Sequence, residues 1–384
     1  MTRATHDIIT IARELRPAIE SYSEEAERIR HLPDGLVKLL GENGFFDIAR
    51  PRFCGGLDLD LVTCMRAIEE VSVADATAGW CVGIGGGALG LPLLPPDVAR
   101  EIYQHGTAVA GVGAPTGRVV PVEGGFLVSG RWGYASGCQH STWMVLGGAV
   151  MDGDKPRMNG PVPEFRMCFT RVADVEIVDT WHVSGLRGTG SNDIVAKGVF
   201  VPTEYTIRPF ADRPVVDDPR FRIPPFTLGG LLIMPAALGA ARRAIDELID
   251  LAQGKTPMLS GSKLRDKPVF QYELARAEAI LQGGRAFLFQ TAGELWDTAQ
   301  RGDEITMELR GRVRLSSTYA TDCAAQATEI AYRLGGGTSN YESSVLQRCL
   351  RDVHAVTQHF VVASTNYETA GRILLGLEPG TFAI

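Results

Sequence analysis

The sequence predicts a mostly α-helical fold of mixed α+β class, with a small β-barrel or sandwich set between two helical regions. Three observations carry this. Apolar residues recur at helical spacing through the first hundred positions. The middle third replaces that period with short β-branched and aromatic runs cut by Gly turns. From about residue 228 long helical patterns return. On this reading residues 1–106 form an N-terminal helical domain, 107–212 a central β domain and 213–384 a C-terminal helical bundle.

A charged helical pattern runs from Asp7 to about Arg30. Leu32-Pro33-Asp34 opens a second helix, with Leu36, Leu39 and Leu40 on one face and Gly44 near its end. Phe53-Cys54-Gly55-Gly56 is a loop, and a third helix covers about Leu61 to Cys81. The run Ala78 to Pro95 is apolar, but Gly and Pro interrupt it. It reads as a helix end and buried loop rather than a membrane span. Strands are expected at Gly124–Val128, Trp143–Leu146, Phe165–Phe169, Val175–Val178 and Val195–Val201. The segment Asp212 to Pro225 carries four Pro and reads as a linker. Leu231–Leu251, Pro268–Thr298, Ile305–Leu334 and Ser343–Leu375 are helical patterns, the last broken near Val361. Their short connections imply antiparallel packing.

Composition bounds the function. A chain of 384 residues exceeds one compact core. A net charge of −7 and a pI of about 5.6 argue against nucleic acid or an anionic membrane as partner. The seven Cys are odd in number and contain no Cys-x-x-Cys, which points to reduced thiols in a cytoplasm rather than a disulfide framework or a zinc site. No metal site is expected. The N-terminus runs directly into a charged helical pattern, without the shape of a signal peptide. Gly111 to Gly117 contains Gly-x-Gly but opens no helix after a strand, so it is not a dinucleotide fingerprint.

The motifs bear on function in their order. Phe53-Cys54-Gly55-Gly56-Leu57-Asp58-Leu59-Asp60 resembles the Tyr-Gly-Gly-x-Gly-x-Asp loop of acyl-CoA dehydrogenases. Gly130-Arg131-Trp132-Gly133-Tyr134-Ala135-Ser136-Gly137 resembles the family's flavin-side strand. Trp181 to Ile194, followed by Val199-Phe200-Val201-Pro202, resembles the end of its β-domain. Leu334-Gly335-Gly336-Gly337-Thr338 and Arg348 to Asp352 resemble its final helices. The resemblance covers essentially the whole chain and implies an acyl-CoA dehydrogenase-like fold: an N-terminal helical domain, a central β-barrel domain and a C-terminal four-helix bundle.

Dehydrogenases of this family need a carboxylate base beside the flavin. The usual position falls at or next to Phe360, and the alternative one near Gly229-Gly230; neither holds a carboxylate. The departures resemble instead the two-component flavin-dependent monooxygenases, the aromatic and steroid-phenol hydroxylase branch. Its marks are Ser136-Gly137-Cys138 before Trp143, Gly185-x-x-Gly188-Thr189-Gly190-Ser191-x-Asp193, and Arg351-Asp352-x-His354 with His359 five residues on. Such an enzyme receives reduced FMN or FAD from a separate NAD(P)H:flavin reductase. Through a C4a-hydroperoxyflavin it hydroxylates a small aromatic or polycyclic substrate. The alternatives are an acyl-CoA dehydrogenase or oxidase with a displaced base, and a non-catalytic flavin-binding protein.

The resemblance places the Ser136 hydroxyl near flavin N5, where it accepts from the N5–H; a turn serine bonding its own backbone is the other reading. His359 is the candidate acid or base, with an ordinary pKa of about 6.5, against a core or capping His. Phe360 and His354 are candidate substrate contacts. Trp132, Ala135, Ser136, Gly137, Gln271, Gly335 and Gly336 are the expected flavin contacts, Gln271 reaching a neighbouring subunit's flavin in a homotetramer. Trp132 also reads as a β-core aromatic, Gln271 as a surface residue and the glycines as a helix cap. Lys255, Lys263 and Arg265 read equally as phosphate contacts and as a solvated face. His140 and His182 read as structural.

Overall fold

The computed structural model describes residues 4–87, 90–160, 162–209, 211–381 and 384. Ala88 and Leu89 of the apolar run therefore lie outside the described residues. The N-terminal helices are α1 (Ala4–Glu20), α2 (Ser23–Ile29), α3 (Asp34–Glu42), α4 (Leu61–Ala74), α5 (Ala76–Gly85) and α6 (Pro96–Ile102). The expected Asp7–Arg30 helix is interrupted after Glu20, where the Ser21 hydroxyl bonds back to Ala18 O at 2.7 Å and competes with the helical ladder. The expected Leu61–Cys81 helix is likewise two. Asp75 leaves the helical conformation, and its carboxylate caps α5 by accepting the Thr77 and Ala78 N–H groups at 2.9 and 3.0 Å. This break turns α5, and with it Trp80, toward the strands.

The strands are β1 (Ala108–Val122), β2 (Gly125–Ala135), β3 (Ser141–Asp152), β4 (Lys155–Pro156), β5 (Met158–Asn159), β6 (Val162–Pro163), β7 (Phe165–Arg171), β8 (Glu176–Val178), β9 (Asn192–Pro202) and β10 (Thr206–Ile207). The main sheet runs β10-β7-β3-β1-β2-β9-β8. β1 and β3 are parallel, while β1–β2, β2–β9 and β3–β7 are antiparallel. Val119, Val128, Trp132, Met144, Cys168 and Ile194, drawn from five strands, share one core. The central region is thus a mixed sheet with a core of its own.

The bundle consists of α7 (Pro225–Ile233), α8 (Pro235–Gly254), α9 (Pro268–Arg301), α10 (Met307–Gly335), α11 (Val345–Thr357) and α12 (Asn366–Leu374). The Leu231–Leu251 pattern is divided because Pro235 has no N–H to continue α7. The break near Val361 is present, as turns between α11 and α12. Pro225–Gly254 is long and apolar enough to cross a membrane on those grounds alone, but 78% of its most apolar stretch is buried inside the fold.

The two helical regions do not keep separate cores. Met65, Ile68 and Val82 pack in one cluster with Leu231, Leu238, Leu288 and Val353. The Pro-rich segment is also tied down: Arg220 is buried, donates to Ala49 O at 2.8 Å and pairs with Asp218 at 2.8 Å and Asp58 at 2.5 Å. These contacts tie the Pro-rich segment to the N-terminal region.

Candidate active site

Two loops at the ends of β2 and before β9 form the sheet side of the site. β2 ends at Ala135 after Tyr134, which holds a left-handed φ of 65°. The chain then turns through Gly137 at φ 78°, a value that favours glycine. The Gly137 N–H donates to Thr189 O at 2.8 Å and so bolts the Ser136 turn to the Gly-Thr-Gly-Ser segment. That segment is held from the bundle. A Cβ on Gly185 would stand 2.0 Å from the Arg351 carbonyl oxygen, so only glycine lets the loop sit on α11. Asp352 accepts the Leu186 N–H at 2.6 Å, and Arg351 donates to Ser184 O and, at 2.9 Å, to Glu27. Burial raises the Asp352 carboxyl to about 7, with Glu27 and Asp75 pushing the same way.

Inside this frame four side chains form a continuous chain. Trp80 Nε1–H donates to Ser136 Oγ at 3.1 Å. Ser136 Oγ and Ser191 Oγ are 2.7 Å apart, as are Ser191 Oγ and Thr189 Oγ1. The Thr189 hydroxyl donates to Leu186 O at 2.8 Å. The other edge of Trp80 meets His359, with ring centroids 5.5 Å apart and planes at 76°. Trp80 thus joins Ser136 from the sheet to His359 from the bundle. Burial lowers His359 to about 4, and the Arg314 cation adds to the effect. Arg314, itself brought down to about 10 by burial, donates to Val361 O at 3.0 Å and fixes the turn after His359.

An apolar wall continues from the histidine. Phe360 is 53% exposed and meets Phe226 of α7 edge-on at 5.9 Å. A Cβ on Gly230 of α7 would touch Val361 at 3.4 Å. The two places where a dehydrogenase carries its base are therefore neighbours in space, and they hold Phe and Gly. Glu368 lies exposed on α12.

Several expected site residues lie elsewhere. Trp132 is 0% exposed, packs within the sheet core and donates Nε1–H to Gly147 O at 2.7 Å; it has no face left for a cofactor and is the core aromatic. The Ala135 methyl also points into that core, so it offers only main-chain contact. His354 faces α10 and pairs with Glu329 at 3.3 Å, because five residues along the chain do not return to one helix face. Gly335 and Gly336 end α10. A Cβ at Gly335 would meet Ser339 Oγ at 2.2 Å, and Gly336 takes φ 59°, so the cap accounts for both. Lys255 donates to Gly335 O and Thr338, Lys263 to Gln253 O, and Arg265 to the Gln253 side chain. Gln271 is exposed on the first turn of α9 and bonds to Arg265 O at 3.0 Å.

His140 stacks on Phe46 at 5.9 Å, and burial lowers it to about 4; His182 pairs with Asp179 at 3.5 Å. An open crevice of about 540 Å³ lined by Arg13, Glu69, Glu70, Arg242 and Arg285 holds none of the expected residues and is crossed by the two-bonded Glu69–Arg285 pair.

The sequence reading missed Trp80, whose N–H and ring link the two candidate residues. It sits in an apolar run with no local signature, and only the Asp75 cap turns it into the site. Tyr134 was also missed: it is 78% exposed beside Ser136 and meets Trp181 edge-on at 6.1 Å. Its left-handed φ, costly for a residue with a Cβ, has no sequence signal.

Profiles of the acyl-CoA dehydrogenase N-terminal and C-terminal domains match residues 9–95 and 231–364. An indole-3-acetate monooxygenase of Pseudomonas putida is 33% identical over 92% of this chain and 90% of its own length. The HsaA oxygenase subunit of a flavin-dependent monooxygenase of Rhodococcus jostii is 30% identical over 90% and 92%. The crystal structure of a 3-HSA hydroxylase from Rhodococcus sp. RHA1 superposes with a TM-score of 0.90 at 28% identity, covering 99% of both chains. With the base positions occupied by Phe360 and Gly230 and a Ser136–Trp80–His359 cluster in their place, the chain belongs to the acyl-CoA dehydrogenase family, in its branch of flavin-dependent monooxygenases.

Proposed function

We propose that the chain is the oxygenase component of a two-component system, which takes reduced FMN or FAD from a separate reductase and oxygenates a small aromatic or polycyclic substrate at carbon. The observation that carries this is the Trp80-bridged Ser136–His359 cluster beside the Phe226–Phe360 wall. Bound reduced flavin would supply the two electrons that activate O2, one atom of which passes to the substrate while the other leaves as water. The residues present suit such a group. Ser136 keeps a lone pair outside its chain of bonds, and Tyr134 offers an exposed ring next to it.

The protein's own part is to bind, orient and keep dry. Ser136 accepts a hydrogen bond from the flavin. Phe226, Phe360 and the Trp80 ring bury an apolar ring and exclude water. His359, lowered to about 4, is neutral throughout the physiological range. A base that weak does not ionise an ordinary phenol, so its contribution is a neutral hydrogen bond that orients the substrate's polar group.

Gln271 is flanked in sequence by exposed Val269 and Tyr272, and Met258 and Leu259 of the preceding loop are exposed as well. A second copy covering this apolar surface brings Gln271 to a neighbour's flavin, in a cytoplasmic homotetramer. Light scattering giving a monomer at micromolar concentration overturns that assembly.

The functional test supplies the protein with a flavin reductase, NAD(P)H and isotopically labelled O2, and offers phenols and indoles. A product carrying one labelled oxygen atom is expected. No labelled product, with bleaching of oxidised FAD by an acyl-CoA, would contradict the reading.

A further inference from the structure

The hydroxyl chain beside Ser136 has a direction. Leu186 O carries no proton, so the proton between it and Thr189 Oγ1, 2.8 Å away, belongs to the threonine. Thr189 Oγ1 can then only accept from Ser191, 2.7 Å away. That spends the single Ser191 proton, so Ser191 Oγ accepts from Ser136 across the next 2.7 Å. Trp80 Nε1–H is a pure donor and occupies one lone pair of Ser136 at 3.1 Å. Ser136 is left with one free lone pair and no free proton. Reversing the chain would face the Thr189 oxygen against the Leu186 carbonyl with no proton between them. The end of the chain cannot drift, because Asp352 holds the Leu186 N–H at 2.6 Å and Gly137 N–H is bonded to Thr189 O at 2.8 Å. All four side chains are buried.

We infer that Thr189 and Ser191 are positioning residues that fix Ser136 as an acceptor only, and that through it they select reduced over oxidised flavin. The inference rests on the proposed function, in which Ser136 accepts from the flavin, and on the placement of that hydroxyl beside N5 that the family resemblance implies. N5 carries a hydrogen in the reduced cofactor and only a lone pair in the oxidised one. An acceptor-only hydroxyl pairs with the first and opposes the second. Removing the Thr189 hydroxyl leaves Ser191 free to donate to Ser136, and the Ser136 proton then turns outward, suited to oxidised flavin. Removing the Ser191 hydroxyl frees the Ser136 proton directly.

The test is a pair of dissociation constants, for FMNH2 measured anaerobically and for FMN, on the wild type, Thr189→Val, Thr189→Ser and Ser191→Ala, each checked for folding by circular dichroism. The wild type is expected to favour FMNH2. Thr189→Val and Ser191→Ala shift the ratio toward FMN by about tenfold, the order of one hydrogen bond lost and one mismatch removed. The two-electron potential of bound flavin falls by about 30 mV for that shift. Thr189→Ser, which keeps the hydroxyl, restores the wild-type ratio. Folded Thr189→Val and Ser191→Ala proteins with the wild-type ratio overturn the inference, as does a Thr189→Ser protein that behaves like Thr189→Val. A wild type that oxygenates its substrate yet binds both forms equally overturns this inference alone. A wild type that binds neither form overturns the flavin reading and the inference with it.

Discussion

Asp352→Asn probes the anchor that holds the Gly-Thr-Gly-Ser loop on α11. The carboxyl accepts the Leu186 N–H at 2.6 Å, is buried, and titrates at about 7 against an ordinary value of 3.8. Below pH 3.8 both folded and unfolded chains hold the proton, and the group contributes nothing. Between 3.8 and 7 the unfolded chain ionises while the folded one keeps its proton, so this contribution to stability falls as pH rises. Above 7 the full cost remains. A shift of roughly three units corresponds to about 4 kcal/mol at most. Asn cannot ionise, and its amide oxygen still accepts from Leu186. The variant should therefore gain on the wild type from pH 5 to pH 8, by a few kcal/mol. Asp352→Ala, which leaves the Leu186 N–H unpaired, should lose about 1–3 kcal/mol relative to Asn at every pH. Urea unfolding at pH 5, 6, 7 and 8 gives the differences. A wild-type-to-Asn difference that is flat with pH would refute the reasoning, as would an Asn variant as weak as Ala.

Gly185→Ala should cost about 3 kcal/mol, because its Cβ meets backbone oxygen at 2.0 Å and backbone cannot yield like a side-chain tip. Gly371→Ala on α12, with nothing within 4 Å, should be neutral or stabilising by up to about 1 kcal/mol, and thermal melts compare the two. His359, lowered to about 4, contributes stability that is full above pH 6.5 and is lost as pH falls toward 4. His359→Gln should flatten acid unfolding over that window, by at most about 3 kcal/mol. For the same reason product formation should show no step near pH 6.5 that disappears in His359→Ala; such a step would mean that the ring titrates in the catalytic cycle.

The architecture was legible because its signals are local. Helical period, Gly-bounded β-branched runs and the Pro-rich segment each need only a dozen neighbouring residues. The breaks at Ser21 and Asp75 were not, since a hydroxyl or carboxylate that competes with the helical ladder looks like any polar residue in a charged pattern. The division at Pro235, by contrast, has a local signal, since proline supplies no N–H to a helix. In the site, Ser136 and His359 came from motif order, and the structure joins them through Trp80. Trp132 and His354 lie away from that cluster for a geometric reason: strand alternation sends the first into the core, and helical pitch sends the second to Glu329. The Arg351-Asp352 pair was read only as a landmark, while its physical work, gripping Ser184 and Leu186, spans more than a hundred and sixty residues of sequence.

The most direct measurement mixes anaerobic protein holding FMNH2 with oxygenated buffer and follows oxygen and flavin absorbance together. Oxygen should disappear before oxidised flavin appears, with a delay that shortens in Ser136→Ala and His359→Ala. Oxidised flavin appearing in step with oxygen loss, equally fast in all three proteins, would contradict the assignment of this chain as an oxygenase.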